Sequence, residues 1–239
     1  MKRALIRFGL AALIAEAFLV GIVAFPQPLF AYSYHVPGLT LQSDRSMNAA
    51  GTQDFLADVK TRLDQSILGP DTAALALYSA GGWRKRLFFT YVQSAGGVVY
   101  VPVSRNHAFL SPIDTKADRL IKDGTVIAPP RTASYYAVHE LAHVRVAAMN
   151  GALRFHRMPA WVREGLADYV ALGPMTPDTR KAIMEWDGPR LPLMQRYGAY
   201  PEFRAMVDFV INDLGWTTEL LISTEMDQTA MRNAMAADG

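Results

Sequence analysis

The amino-acid sequence predicts an α+β fold, a small and mainly antiparallel sheet followed by a helical C-terminal half. Two observations carry this. Between residues 73 and 103, three runs rich in Val, Tyr, Phe and Leu are separated by Gly81-Gly82 and Gly96-Gly97, the pattern of short strands joined by tight turns. From Ala133 onward the apolar spacing becomes helical and is punctuated by capping residues, Gly and Pro. Strands first and helices after indicate α+β layering.

The chain opens Met1-Lys2-Arg3, with Arg7 close behind, and continues in an apolar run from Phe8 to Phe25 whose sole ionisable residue is Glu16. Positive residues before such a run indicate an export signal or a signal anchor. Residues 1–31 are therefore expected to be a leader and residues 32–239 the folded domain. A cleaved signal peptide would be cut after Ala31, where Leu29 is a poor residue three positions before the cut. An uncleaved anchor would hold the N-terminus in the cytoplasm, although Glu16 opposes a comfortable span. A buried N-terminal helix is the third alternative. The first two put the domain outside the cytoplasm, in a periplasmic or extracellular space, membrane-anchored or, after cleavage, secreted.

Residues 32–50 are polar and turn-rich, with one short strand expected at Leu39–Leu41. Phe55, Val59, Leu63 and Ile67 recur every fourth position, which predicts a helix over Asp54–Ile67, closed by Gly69-Pro70. Ala73–Tyr78, Leu87–Val92 and Val98–Val103 are the strand-like runs, and Arg84-Lys85-Arg86 falls in an expected hairpin turn. Thr132 or Ser134 can cap a helix running to Met149, which Asn150-Gly151 stops. Pro159 suits the first turn of a helix ending at Leu172, before Gly173-Pro174. Thr176-Pro177-Asp178 and Pro201 start two more, the latter ending at Leu214-Gly215, and two short helices fill the C-terminus.

The composition excludes several classes. Hydrophobic residues make up 51% and charged residues 19% of the chain, enough apolar material for a core and too much for a disordered chain. A formal net charge of +2, evenly spread, is too mild for a nucleic-acid binder. No cysteine is present, so disulfides, thiolate metal ligands and a cysteine nucleophile are excluded.

The segment His139-Glu140-Leu141-Ala142-His143 falls inside an expected helix that is apolar nearly all round. Residues four apart on a helix lie on one face, one turn along, so both imidazoles can reach a single metal ion. Glu140 lies beside the first imidazole, where it can meet activated water without ligating the metal. This is the His-Glu-x-x-His zinc pattern with its mechanics intact. Two His and a Glu inside a core are costly without something to satisfy them, and a zinc ion would do so. Satisfied core histidines are the alternative.

A catalytic zinc takes three protein ligands and keeps an open position. Glu164 is the candidate third ligand, in Trp161-Val162-Arg163-Glu164-Gly165-Leu166-Ala167-Asp168-Tyr169. Asp168, four residues on, shares its helix face and can take the free ring N–H of a ligand histidine, His139 being the candidate. The alternatives are an exposed helix carboxylate for Glu164, and for Asp168 a surface ion pair with Arg163 or Arg180.

His139-Glu140-x-x-His143 together with Trp161-x-x-Glu164-Gly165-x-Ala167-Asp168-Tyr169 resembles the gluzincin metallopeptidases, the clan of thermolysin and the M1-type aminopeptidases. The resemblance covers roughly residues 130–215. It implies a helix pair beneath a sheet edge, one zinc ion, and hydrolysis of peptide or protein substrates. Two departures matter. No histidine follows His156, so a downstream oxyanion-stabilising histidine is missing. In the aminopeptidases a tyrosine does that work, and Tyr197 and Tyr200, in an expected loop before the Pro201 helix, are the candidates here. The Gly-x-Met-x-Asn segment of the aminopeptidases is absent, which favours an endopeptidase. The competing expectation is a membrane-anchored binding or assembly protein that keeps the scaffold without turnover. His35, His107 and His156 are expected in surface or core-satisfied roles, and Trp83, Trp186 and Trp216 in packing.

Overall fold

The computed structural model describes residues 2–238. Among them the chain is mixed α and β, with eleven α-helices, two sheets and a mostly helical C-terminal half. The first half contains α1 (Lys2–Ala24), β1 (Tyr32–Val36), β2 (Leu39–Ser43), α2 (Ala49–Gln65), β3 (Leu75–Ser79), α3 (Gly82–Phe88), β4 (Gly97–Val98) and β5 (His107–Leu110). A small second sheet follows: β6 (Ile113–Asp114), β7 (Arg119–Lys122) and β8 (Thr125–Val126). Then come α4 (Ala133–Asn150), α5 (Ala152–Arg157), α6 (Ala160–Leu172), α7 (Pro177–Met184), α8 (Arg190–Tyr197), α9 (Pro201–Asn212), α10 (Thr218–Ser223) and α11 (Gln228–Asp238).

The main sheet has the order β1-β2-β3-β5-β4. It is mixed, where a mainly antiparallel sheet was expected. β2 and β3 run parallel, with Leu39 opposite Leu75 and Leu41 opposite Leu77, and β3 and β5 are also parallel. The reason is α2, which intervenes between β2 and β3: a parallel pair needs a long crossover, and a helix supplies it. The outer pairs, β1 with β2 and β4 with β5, are antiparallel.

Two expected strands changed character. Leu87–Val92 ends a helix, because Phe88 and Phe89 both bury into one aromatic cluster with Phe30, Tyr78 and Phe109, whereas a strand would point consecutive residues to opposite faces. Arg84, Lys85 and Arg86 accordingly lie on α3 and not in a hairpin turn. Val98–Val103 contracts to the two residues of β4, since Tyr100 to Ser104 closes a turn and Pro102 has no N–H for a ladder. The sheet gains β5 instead. Its four residues are all buried, as befits a strand covered on both faces, where no alternation marks the sequence.

The core forms between this sheet and the helices. Leu39 and Leu41 meet Phe55, Leu56, Val59 and Leu63 of α2, and the buried residues of α4 join the same cluster. α4 lies at its centre, packed by α2, α5, α6 and β5, which explains why it is apolar on nearly every side.

The expected membrane-anchored localisation is overturned: no helix among the described residues is long and apolar enough to cross a membrane. The tail of the apolar run is used by the domain. Ile22 and Val23 pack against the aromatic cluster, and His107 Nε2 lies 2.9 Å from the Val23 carbonyl. The remaining Phe8–Gly21 is fourteen residues with Glu16 in its midst, short of the ~20 that a helical span requires. Met1 lies outside the described residues, as do the side chains of Lys2, Arg3 and Arg7 on which the export reading leaned.

Candidate metal centre

Two well-terminated helices build the site. The Thr132 hydroxyl caps α4 by accepting from the Tyr135 N–H, and Gly151 ends it at φ 75°. α6 begins after Pro159 and stops at Gly173, φ 77°. Positive φ suits glycine at both ends. α4 and α6 pack against each other, which brings His139 and His143 opposite Glu164.

Three donor atoms converge there. His139 Nε2 and His143 Nε2 are 3.2 Å apart, and Glu164 Oε2 lies 3.5 Å from the first and 3.4 Å from the second. In a tetrahedral zinc site with bonds of about 2.0–2.1 Å, neighbouring donors lie about 3.3–3.4 Å apart. The carboxylate contacts are too long for charge-assisted hydrogen bonds, which run about 2.7–2.9 Å. His139 Nδ1 makes such a bond, 2.8 Å to Asp168 Oδ1. The side facing Asp168 is thus a satisfied hydrogen bond, while the side facing His143 and Glu164 has the spacing of ligands around a cation. The group could hold a metal ion. Zinc suits its nitrogen-and-oxygen donor set.

The surroundings orient each ligand. Asp168 is fully buried and also accepts from the Tyr135 hydroxyl and, through Oδ2, from the Tyr200 N–H at 2.7 Å. It therefore ties α4, α6 and the start of α9 together. Arg163 Nε donates to Glu164 Oε1 at 3.0 Å, which leaves Oε2 for the convergence point. The His143 ring stands edge-on to Phe155, centroids 5.8 Å apart.

Charge follows this geometry. Burial opposes protonation of His139, but Asp168 and Glu164 outweigh it and the ring is pushed up to about 10. Burial also works against an ionised Glu164, yet the two imidazoles hold it well below the usual carboxylate range. Both shifts express one preference, for positive charge beside these carboxylates. Burial raises the proton affinity of Glu140, partly opposed by the two imidazoles.

Glu140 faces a cavity of about 510 Å³ between β4 and α4, lined also by His139, His143, Glu164 and Tyr200. The backbone of β4 passes directly over it: a Cβ at Gly97 would fall 2.5 Å from Glu140 Cγ and 2.6 Å from Oε1. A second close approach lies between α6 and α9. A Cβ at Gly165 would fall 2.4 Å from the Phe203 carbonyl oxygen, so glycine there lets α9 approach α6 closely enough for Tyr200 to reach Asp168.

The two candidate tyrosines separate. Tyr200 lies over His139, rings 17° from parallel with centroids 5.9 Å apart, and lines the cavity. Tyr197 ends α8, packs against Ile183, Leu193 and Ala205, and does not line the cavity. Its expected role is corrected accordingly. Arg180 pairs with Asp208 and Asp213 and not with Asp168. His156 lies on α5 at the cavity rim, its Nε2 2.8 Å from the Val101 carbonyl.

Tyr135, Arg163 and Gly97 were not singled out by sequence reasoning. Tyr135 was within reach of it: it precedes His139 by four residues and shares its helix face. Gly97 and Arg163 carried no such signal.

No family model, curated protein or solved structure matches this chain.

Proposed function

We propose that the chain is a zinc-dependent peptidase, an endopeptidase of gluzincin type, with His139, His143 and Glu164 as metal ligands. The observation that carries the reading is the near-equilateral triangle of Nε2, Nε2 and Oε2 atoms, spaced as zinc ligands, with a buried carboxylate beside it. The resemblance of the two motifs to gluzincins supports it, as does the sheet edge over the first motif helix.

When bound, zinc supplies Lewis acidity, which activates water and polarises a carbonyl. Glu140 accepts the proton released by the attacking water and delivers it to the leaving amine; its burial favours the protonated intermediate state of that transfer. The Tyr200 hydroxyl is the candidate donor to the developing oxyanion. Asp168 keeps the His139 Nδ1 proton in place, presenting Nε2 to the metal. The substrate lies extended along β4, whose outer edge has no strand partner among the described residues. Among the cavity-lining residues the carboxylates are Glu140 and Glu164, both assigned to chemistry, which leaves none to hold a substrate's free amine and favours internal cleavage.

Metal analysis of the purified protein should find about one zinc per chain, and a mixed peptide library should be cleaved in a chelator-sensitive way. Glu140→Gln should retain the metal and lose about 10³-fold in kcat. Full turnover in that variant would remove Glu140 from its role, and failure to bind zinc would end the proposal.

A further inference from the structure

Beyond the ligands and Glu140, the cavity is lined by Lys122, Arg131 and Arg163. Arg163 is committed to Glu164. Among the described residues Lys122 and Arg131 take part in no ion pair, and the Arg131 guanidinium lies within reach of the Tyr136 hydroxyl. Two nearby acids, Asp118 and Asp123, are occupied elsewhere. Asp123 binds Lys85 at 2.6 Å, and Asp118 accepts from the Ser134 N–H and hydroxyl at 2.6 and 2.7 Å. Both cations are partly shielded from solvent, and Arg131 Nε is buried without a hydrogen-bond partner. A half-buried guanidinium and ammonium without an ion-pair partner are costly.

Their place relative to the chemistry is defined. Arg131 immediately precedes the cap of α4, and Lys122 ends β7, which packs beside α4. Tyr136 lies between Arg131 and Glu140, four residues before the latter on the same helix face. A Cβ on Gly96 would fall 2.5 Å from the Tyr136 ring, so the ring floors the cavity under the strand. Nine residues separate Arg131 from Glu140, on the order of 13 Å along the axis of α4, or about four residues of an extended chain.

We infer that Lys122 and Arg131 form a carboxylate-binding subsite about four residues from the scissile bond, so that the enzyme selects peptides bearing an acidic group there. The inference rests on the peptidase reading for the register but not for the binding itself. A carboxylate could come from an Asp or Glu side chain or from the peptide's own C-terminus. Arg and Lys together suit either: Arg offers a planar fork of N–H donors, and Lys a mobile point charge.

The test uses a set of extended peptides carrying one Glu at each position in turn, against Gln controls, each with a free or an amidated C-terminus. Anisotropy with the full-length Glu140→Gln protein reads binding without turnover, and kcat/KM with the zinc-loaded wild type reads selection. One Glu position, about four residues from the cut, should bind and cleave at least tenfold better than its Gln control, and Lys122→Gln with Arg131→Gln should abolish that ratio. If a free C-terminus gives the gain and internal Glu does not, the carboxylate recognised is terminal. Reversing the charge, with Arg131→Glu, should turn the preference toward Lys. Equal binding of Glu and Gln peptides at every position, or an acidic preference that survives the double substitution, overturns the subsite. Binding selectivity in a protein that cleaves nothing would overturn the peptidase reading and leave the subsite standing.

Discussion

Two carboxylates in this molecule are equally buried and yet do different work. Asp168 on α6 and Asp208 on α9 are both without solvent exposure. Asp208 is surrounded by donors that end with it: the Met175 N–H at 2.8 Å, the Arg180 guanidinium at 2.6 Å and the Asn212 amide at 2.9 Å. Its charge is matched inside the fold by a cation. Asp168 accepts from Tyr135, His139 and the Tyr200 N–H, and one of these partners passes the effect on, because the far nitrogen of His139 faces His143 at 3.2 Å and Glu164 at 3.5 Å. The first network is closed and needs no visitor. The second ends on three donor atoms that converge at the spacing of ligands and could hold a metal ion. A buried polar cluster thus reveals function by what it leaves unmatched more than by its burial.

The contrast can be broken in five places. His143→Ala removes one corner of the triangle, and zinc content measured after desalting should fall from about one per chain to background, with turnover lost along with it. Next, Gly97→Ala and Tyr200→Phe should each lower kcat/KM by about 10²-fold while zinc is retained, the first by displacing Glu140 and the second by removing an oxyanion donor. Tyr197→Phe serves as the control and should change neither. Asp168→Asn should weaken zinc by about 10–100-fold in a chelator competition, since the His139 ring loses its anionic partner. Smallest for the chemistry is Asp208→Asn. Metal affinity and kcat should be unchanged, but urea unfolding should show a loss of about 2 kcal/mol as the Arg180 pairing weakens. A drop in zinc affinity in Asp208→Asn, equal to that in Asp168→Asn, would dissolve the distinction between the two networks.

Much of the helical half was legible in advance because its signals are local. Thr132 caps α4 and Gly151 ends it; Pro159 precedes α6 and Gly173 follows it. The strand region was harder. Phe88 and Phe89 read as strand residues until the aromatic cluster claimed both, and β5 was invisible because a strand buried on two faces shows no alternation. The N-terminal run read as a membrane segment, since its hydropathy cannot tell lipid from the aromatic cluster that takes up Ile22 and Val23.

By itself the sequence determined that His139 and His143 share a helix face with Glu140 beside them, because a four-residue period is a property of one turn of backbone. Only the tertiary structure decided that Glu164 Oε2 completes the triangle, that Gly97 roofs Glu140, that Arg163 turns to Glu164, and that Tyr200 and not Tyr197 reaches the cavity. Those are contacts between separate elements. They depend on how closely α9 can approach α6 at Gly165 and on which strand takes the sheet's edge, distances that no local periodicity encodes.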